Sequence, residues 1–84
     1  MANNFKRKLT LDRPVVYQIE VFGNLDSNWL DWIGEISVEV SSEDSGWPIT
    51  TLTGNIDQAA LIGLLRRLYS LGLPLVSVNC LEVK

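Results

Sequence analysis

The segment DQAALIGLLRRLYSLGLP, residues 57 to 74, leaves few folds open to this chain. Ala60, Leu61, Leu64, Leu65, Leu68 and Leu71 recur at i, i+3, i+4 spacing, which draws an apolar stripe along one side of an α-helix. Asp57 stands where a carboxylate can accept the free amides of the first turn. Arg66 and Arg67 lie towards the other end, where cations complement the helix dipole. Gly72 supplies the left-handed residue that stops such a helix, and Pro74 forbids its continuation. The stripe has to be covered, and a chain of 84 residues has room for one core and no second domain.

Period-two patterns on either side point to a sheet as the cover. VVYQIEVF, residues 15 to 22, sets Tyr17, Ile19 and Val21 against Gln18 and Glu20, the mark of a half-buried strand. EISVEVS puts Ile36, Val38 and Val40 on one face, SEDSG is a turn, and WPITTLTG completes a hairpin. Pro48 belongs at the start of the second hairpin strand or at an edge, because it has no amide to give to a ladder. PLVSVNCLEV reads as a last strand, but Leu75, Ser77, Asn79 and Leu81 alternate with Val76, Val78 and Cys80 about equally well, so its facing stays open. Between the first strand and the hairpin, Asp26 or Ser27 can cap a short helix in which Trp29, Leu30, Trp32 and Ile33 keep helical spacing until Gly34.

Strand, helix, strand, strand, helix, strand is the order of the ferredoxin-like βαββαβ fold. The expected architecture is therefore an α+β two-layer sandwich, an antiparallel four-stranded sheet with both helices on one face. Residues 1–12 form an N-terminal tail or an added edge segment, and residues 13–84 form the single α+β domain. A two-turn helix needs anchors, and each tryptophan can bury about 200 Å². At least one of Trp29 and Trp32 is expected in the core, with a dimer interface as the next home for the other.

The same residues exclude several chemistries. With a net charge of −3 and seven basic residues, of which only Lys6, Arg7 and Lys8 form a run, nucleic-acid binding is not expected. The helix-free face, carrying Gln18, Glu20, Phe22, Ser37, Glu39, Thr51, Thr53, Ser77 and Asn79, offers bases one aromatic ring. No apolar segment is long enough for a signal peptide or a membrane span, so the expected setting is cytoplasmic. Cys80 is the single cysteine, read as a small buried hydrophobe, and histidine is absent, which leaves neither a metal site nor an iron–sulfur cluster. The loop FGNLDSNW has neither the paired cysteines of a metallochaperone nor the phosphate-holding arginine of an acylphosphatase. Glu35, Glu39, Glu43 and Asp44 surround the hairpin turn, where acids are ordinarily solvated, and Tyr69 is expected at the rim of the core. No cofactor and no enzyme activity are expected; were there catalysis, Glu39 and Glu20 would be the first residues to change.

Two classes of function stay open. One is a small interaction or oligomerisation module, with a homodimer as the expected state and another protein as the alternative partner, because a core of this size gains from a second subunit. The other is a small-molecule sensor with its site near the loop between the first strand and the first helix. Phe22, Asn24, Asp26, Asn28, Trp29 and Trp32 are the candidate ligand or interface residues under either.

GNLDSNWLDWI, then TLTG, then DQAALIGLLRRLYSLGLPLVSV resembles a set of short bacterial proteins in which G-x-L-D-x-x-W-x-x-W precedes LTG and DQAALHGLL-x-x-x-x-x-LGLPL. The resemblance covers about residues 17 to 79 and implies no established activity. Ile62 stands where those proteins commonly carry histidine, and the connection from Gly54 to Asp57 is about one residue shorter. Any role of that histidine is closed to this chain.

Overall fold

The computed structural model describes residues 10–25, 36–42 and 46–82. Its elements are β1 (Val15–Phe22), β2 (Ile36–Ser42), β3 (Pro48–Ile56), α1 (Gln58–Ser70) and β4 (Leu75–Glu82). The four strands make one sheet in the order β2-β3-β1-β4, and every neighbouring pair is antiparallel. β1 and β3 are thus central, while β2 and β4 are the two edges.

The alternation of β1 decides which face is covered. Val15, Tyr17, Ile19 and Val21 are buried, and between them Val16, Gln18 and Glu20 are only half-buried. Register carries this phase across the sheet, since Ile19 faces Leu52 on β3 and Val78 on β4, and Leu52 faces Val38 on β2. Against this face α1 lays Leu61, Leu64 and Leu68, with Ala60, Leu65 and Leu71 at the margin of the same cluster. Ile19, Leu52 and Leu64 are the largest fully buried side chains, so the centre of the core is a contact between both central strands and the helix.

The ends of α1 follow from the residues that flank it. Asp57 is extended (φ −82°, ψ 176°), and its Oδ1 accepts the Ala60 amide at 2.8 Å. At the other end Gly72 has φ +79°, its amide donates to the Tyr69 carbonyl at 2.9 Å, and the Leu73 amide donates to the Leu68 carbonyl at 3.1 Å. Replacing Asp57 with alanine should lower the unfolding free energy by about 1 kcal/mol, whereas Asp57→Asn, which keeps an accepting oxygen, should lose much less. Urea titrations of the two variants check this; equal losses would mean that the carboxamide cannot stand in for the carboxylate at the cap.

Several expectations need correction. β3 runs two residues beyond Gly54, because Asn55 and Ile56 pair with Val16 and Val15. One helix is described rather than two, and the expected first helix, with Trp29 and Trp32, falls within residues 26–35, outside the described residues. The α+β class and the antiparallel four-stranded sheet stand. Of the residues expected as a tail or added edge segment, 1–9 lie outside the described residues; Leu11 to Arg13 bend, and the Leu11 carbonyl accepts the Gln58 amide at 3.1 Å, tying this segment to the start of α1. Tyr69 is 85% exposed, on the flank of α1 where it lines a groove with Leu65 and Leu68. Cys80 is half-buried at the margin of the core rather than inside it.

Candidate functional site

The loop after β1, where a ligand site is expected, is fastened to the fold by its own backbone. The Phe22 amide donates to the Pro74 carbonyl at 2.9 Å, and the Gly23 amide donates to the Pro48 carbonyl at 2.9 Å. Thr50, fully buried on the core face of β3, donates its hydroxyl to the Gly23 carbonyl at 2.5 Å and accepts the Leu25 amide at 3.3 Å. Gly23 sits at φ +119°, a backbone conformation that favours glycine, and a Cβ there would lie 2.6 Å from Leu73 Cδ2, so the end of that side chain would also have to shift. Leu25 is buried in the core. These polar groups are committed to holding the ends of β1, β3 and β4 together.

Of the candidate residues, Asn24 is exposed at this loop, and Phe22 is 44% exposed at the end of β1, opposite Ile49. Asp26, Asn28, Trp29 and Trp32 lie outside the described residues. The structure therefore places two of the six, Phe22 at the end of β1 and Asn24 two residues on in the loop after it.

The helix-free face has the composition its sequence implies. Ser37, Thr53, Gln18 and Asn79 follow one another across the four strands, and Glu39, Thr51, Glu20 and Ser77 make the next row. Ser77 donates its hydroxyl to Glu20 Oε1 at 2.7 Å, which fixes the facing of β4 by a cross-strand bond. Thr51 separates Glu20 from Glu39, so their backbones stand two strand spacings, roughly 10 Å, apart.

The two edges differ in kind. β2 presents Ser37, Glu39, Ser41 and Ser42 to solvent, polar and charged side chains that discourage strand addition, with Val40 (46%) its one exposed large apolar residue. β4 is eight residues long, and Leu75 (54%), Val76 (43%), Val78 (36%) and Leu81 (51%) are exposed along it. No charged residue occurs between Leu75 and Leu81. Beside its start, Leu65, Leu68, Tyr69, Leu73, Pro74 and Leu75 line a groove of ≈ 220 Å³. Among the described residues no strand pairs with the outer side of β4, so a backbone edge, apolar side chains and an exposed tyrosine adjoin one another there. The sequence carried a trace of this edge in LVSVNCL, where Leu75 and Leu81 share a phase with Ser77 and Asn79 and leave no clear solvent side. Thr50 also left a trace, as a polar residue in the phase of Leu52 and Ile56.

The sheet order and the single described helix over one face define a small two-layer α+β domain. The chain belongs to the family described as a domain of unknown function, DUF8691, which matches residues 16–79. That span agrees within a residue with the one over which the sequence resembles proteins of no established activity. No curated protein and no solved structure matches the chain. Among the described residues no helix is long and apolar enough to cross a membrane, and no three His, Cys, Asp or Glu side chains are grouped so as to hold a metal ion.

Proposed function

We propose that this chain is a protein-interaction module without catalytic activity, in which the free edge of β4 adds to a strand of a protein partner. The observation that carries the reading is the contrast between the edges, since β2 carries the exposed charge of Glu39 and one exposed large apolar residue, Val40, where β4 is uncharged from Leu75 to Leu81 and exposes four, Leu75, Val76, Val78 and Leu81. An unprotected edge exposes backbone amides and carbonyls that gain partners when another strand docks. The partner is a protein rather than a nucleic acid or a membrane, because the edge offers no cation to a phosphate. A bacterial cytoplasmic setting fits this reading.

Residues 26–35 supply, in the same proposal, the second helix of a ferredoxin-like fold. β1 and β2 are parallel and flank β3, just as β3 and β4 are parallel and flank β1. The β1-to-β2 connection is thus the β3-to-β4 connection turned half a revolution about the sheet normal, and crossovers of one hand put both on the same face. Such a helix would cover Ile36 and Val38 on the core side of β2, with Trp29 and Trp32 as its anchors. The sensor alternative finds less support, because the described polar backbone of its loop already has partners within the fold.

Site-directed photocrosslinking in the cells that make the protein tests the reading. A benzophenone amino acid in place of Val76 or Leu81 should give protein adducts of discrete mass, and the same probe in place of Ser41 on β2 should give none. Adducts missing from β4, or equally strong from Ser41, would overturn it.

A further inference from the structure

We infer that the strand docking on β4 is β4 of a second copy, paired antiparallel about a two-fold axis through Val78. This rests on the interaction reading above and adds the identity of the partner and the register. An isologous antiparallel pair has its axis normal to the sheet, which keeps the core faces of both copies on one side. Residues directly opposite then belong to the same face, so the axis must pass between a residue and its own copy.

Only one such centre matches the chemistry of β4 with its own reversal. Read outwards from Val78, LVSVNCL places Ser77 opposite Asn79, Val76 opposite Cys80 and Leu75 opposite Leu81. Every pair is polar with polar or apolar with apolar. A centre at Ser77 sets Leu75 against Asn79, and a centre at Asn79 sets Ser77 against Leu81 and Val76 against Glu82. Those registers bury a polar or charged group against an aliphatic one.

The structure supports the same centre independently. Ser77 and Asn79 face away from the helix, opposite Glu20 and Gln18, while Val78 faces Ile19 on the core side. The two slips between β1 and β4, which skip Val76 and Leu81, lie at the ends and leave Ser77 to Cys80 as the regular run. Charge agrees as well, for in a chain of net charge −3 this edge is a stretch where two copies bring no like charges together. Union of the two edges yields a continuous sheet of eight strands, with the Tyr69 grooves of both copies beside the seam.

Cysteine pairing reads the register directly. Residues opposite one another across antiparallel strands have Cβ atoms about 5 Å apart, within reach of a disulfide, whereas Cys80 and its copy would be offset by four residues, roughly 13 Å along the strands. Under diamide, Val78→Cys in a Cys80→Ala background should convert to a covalent dimer, and the native chain should not. A mixture of Ser77→Cys and Asn79→Cys, both on Cys80→Ala, should crosslink more than either alone. Light scattering on the unmodified chain should report twice the 9.4 kDa chain mass, which guards against a variant that folds poorly. A monomer at all concentrations, or native Cys80 crosslinking faster than Val78→Cys, overturns the inference. Photoadducts from β4 to a protein of another mass would remove the second copy yet leave the interaction reading intact, and no adducts from β4 would remove both.

Discussion

Leu64→Ala should destabilise the fold by about 3 kcal/mol, from a range of roughly 2 to 5 for a buried leucine cut back to alanine. Leu64 has no exposed surface and lies on α1 within the cluster that holds Ile19 and Leu52, so its loss opens a cavity between the helix and both central strands. A single core of this size leaves only about 3 to 5 kcal/mol of net stability, so most of it would go. The expected result is a chain largely unfolded near body temperature, seen as loss of far-ultraviolet dichroism, while Ile62→Ala on the exposed side of the same helix changes little. Comparable losses from both substitutions would mean that α1 does not meet the sheet through Leu64.

Thr50→Val should cost about 2 to 4 kcal/mol although the two side chains are nearly the same shape. The hydroxyl serves two backbone groups, the Gly23 carbonyl and the Leu25 amide, and each would be left unsatisfied next to a methyl group, at about 1 to 3 kcal/mol apiece before relaxation. Thr50→Ser keeps the hydroxyl and loses one methyl, so it should retain most of the stability. Chemical denaturation of the pair separates the causes. If serine proves as damaging as valine, packing of the methyl outweighs the two bonds and the loop is held by other means.

How far the fold could be read from sequence depended on whether each signal was local. β1 was legible to the residue because one of its faces is covered and the other is not, which writes an alternation into VVYQIEVF. α1 was legible because its cap, its stripe and its terminating glycine all lie within one short stretch. The facing of β4 was not, because Leu75 and Leu81 stand in the same sequence phase as Ser77 and Asn79, and the slips that skip Val76 and Leu81 break the alternation at both ends. The Ser77 to Glu20 bond across 57 positions settles it, and nothing near Ser77 announces that partner. Thr50 escaped notice for a related reason. Threonine is at home in any strand, and what sets this one apart is a carbonyl 27 positions earlier. The proposed β4 edge was not legible, because an edge is defined by which strands end up next to it, and the candidate residues read from the sequence lie at the loop after β1 instead.

β3 ends at Ile56 and α1 begins at Gln58, so Asp57 alone joins them, and it is itself committed to the helix cap. No slack chain lies between the second central strand and the helix over it. The far end is tied as well, since only residues 71–74 separate α1 from β4 and the Pro74 carbonyl holds the Phe22 amide, so the helix is hinged to the sheet at both ends and takes up any change in its twist.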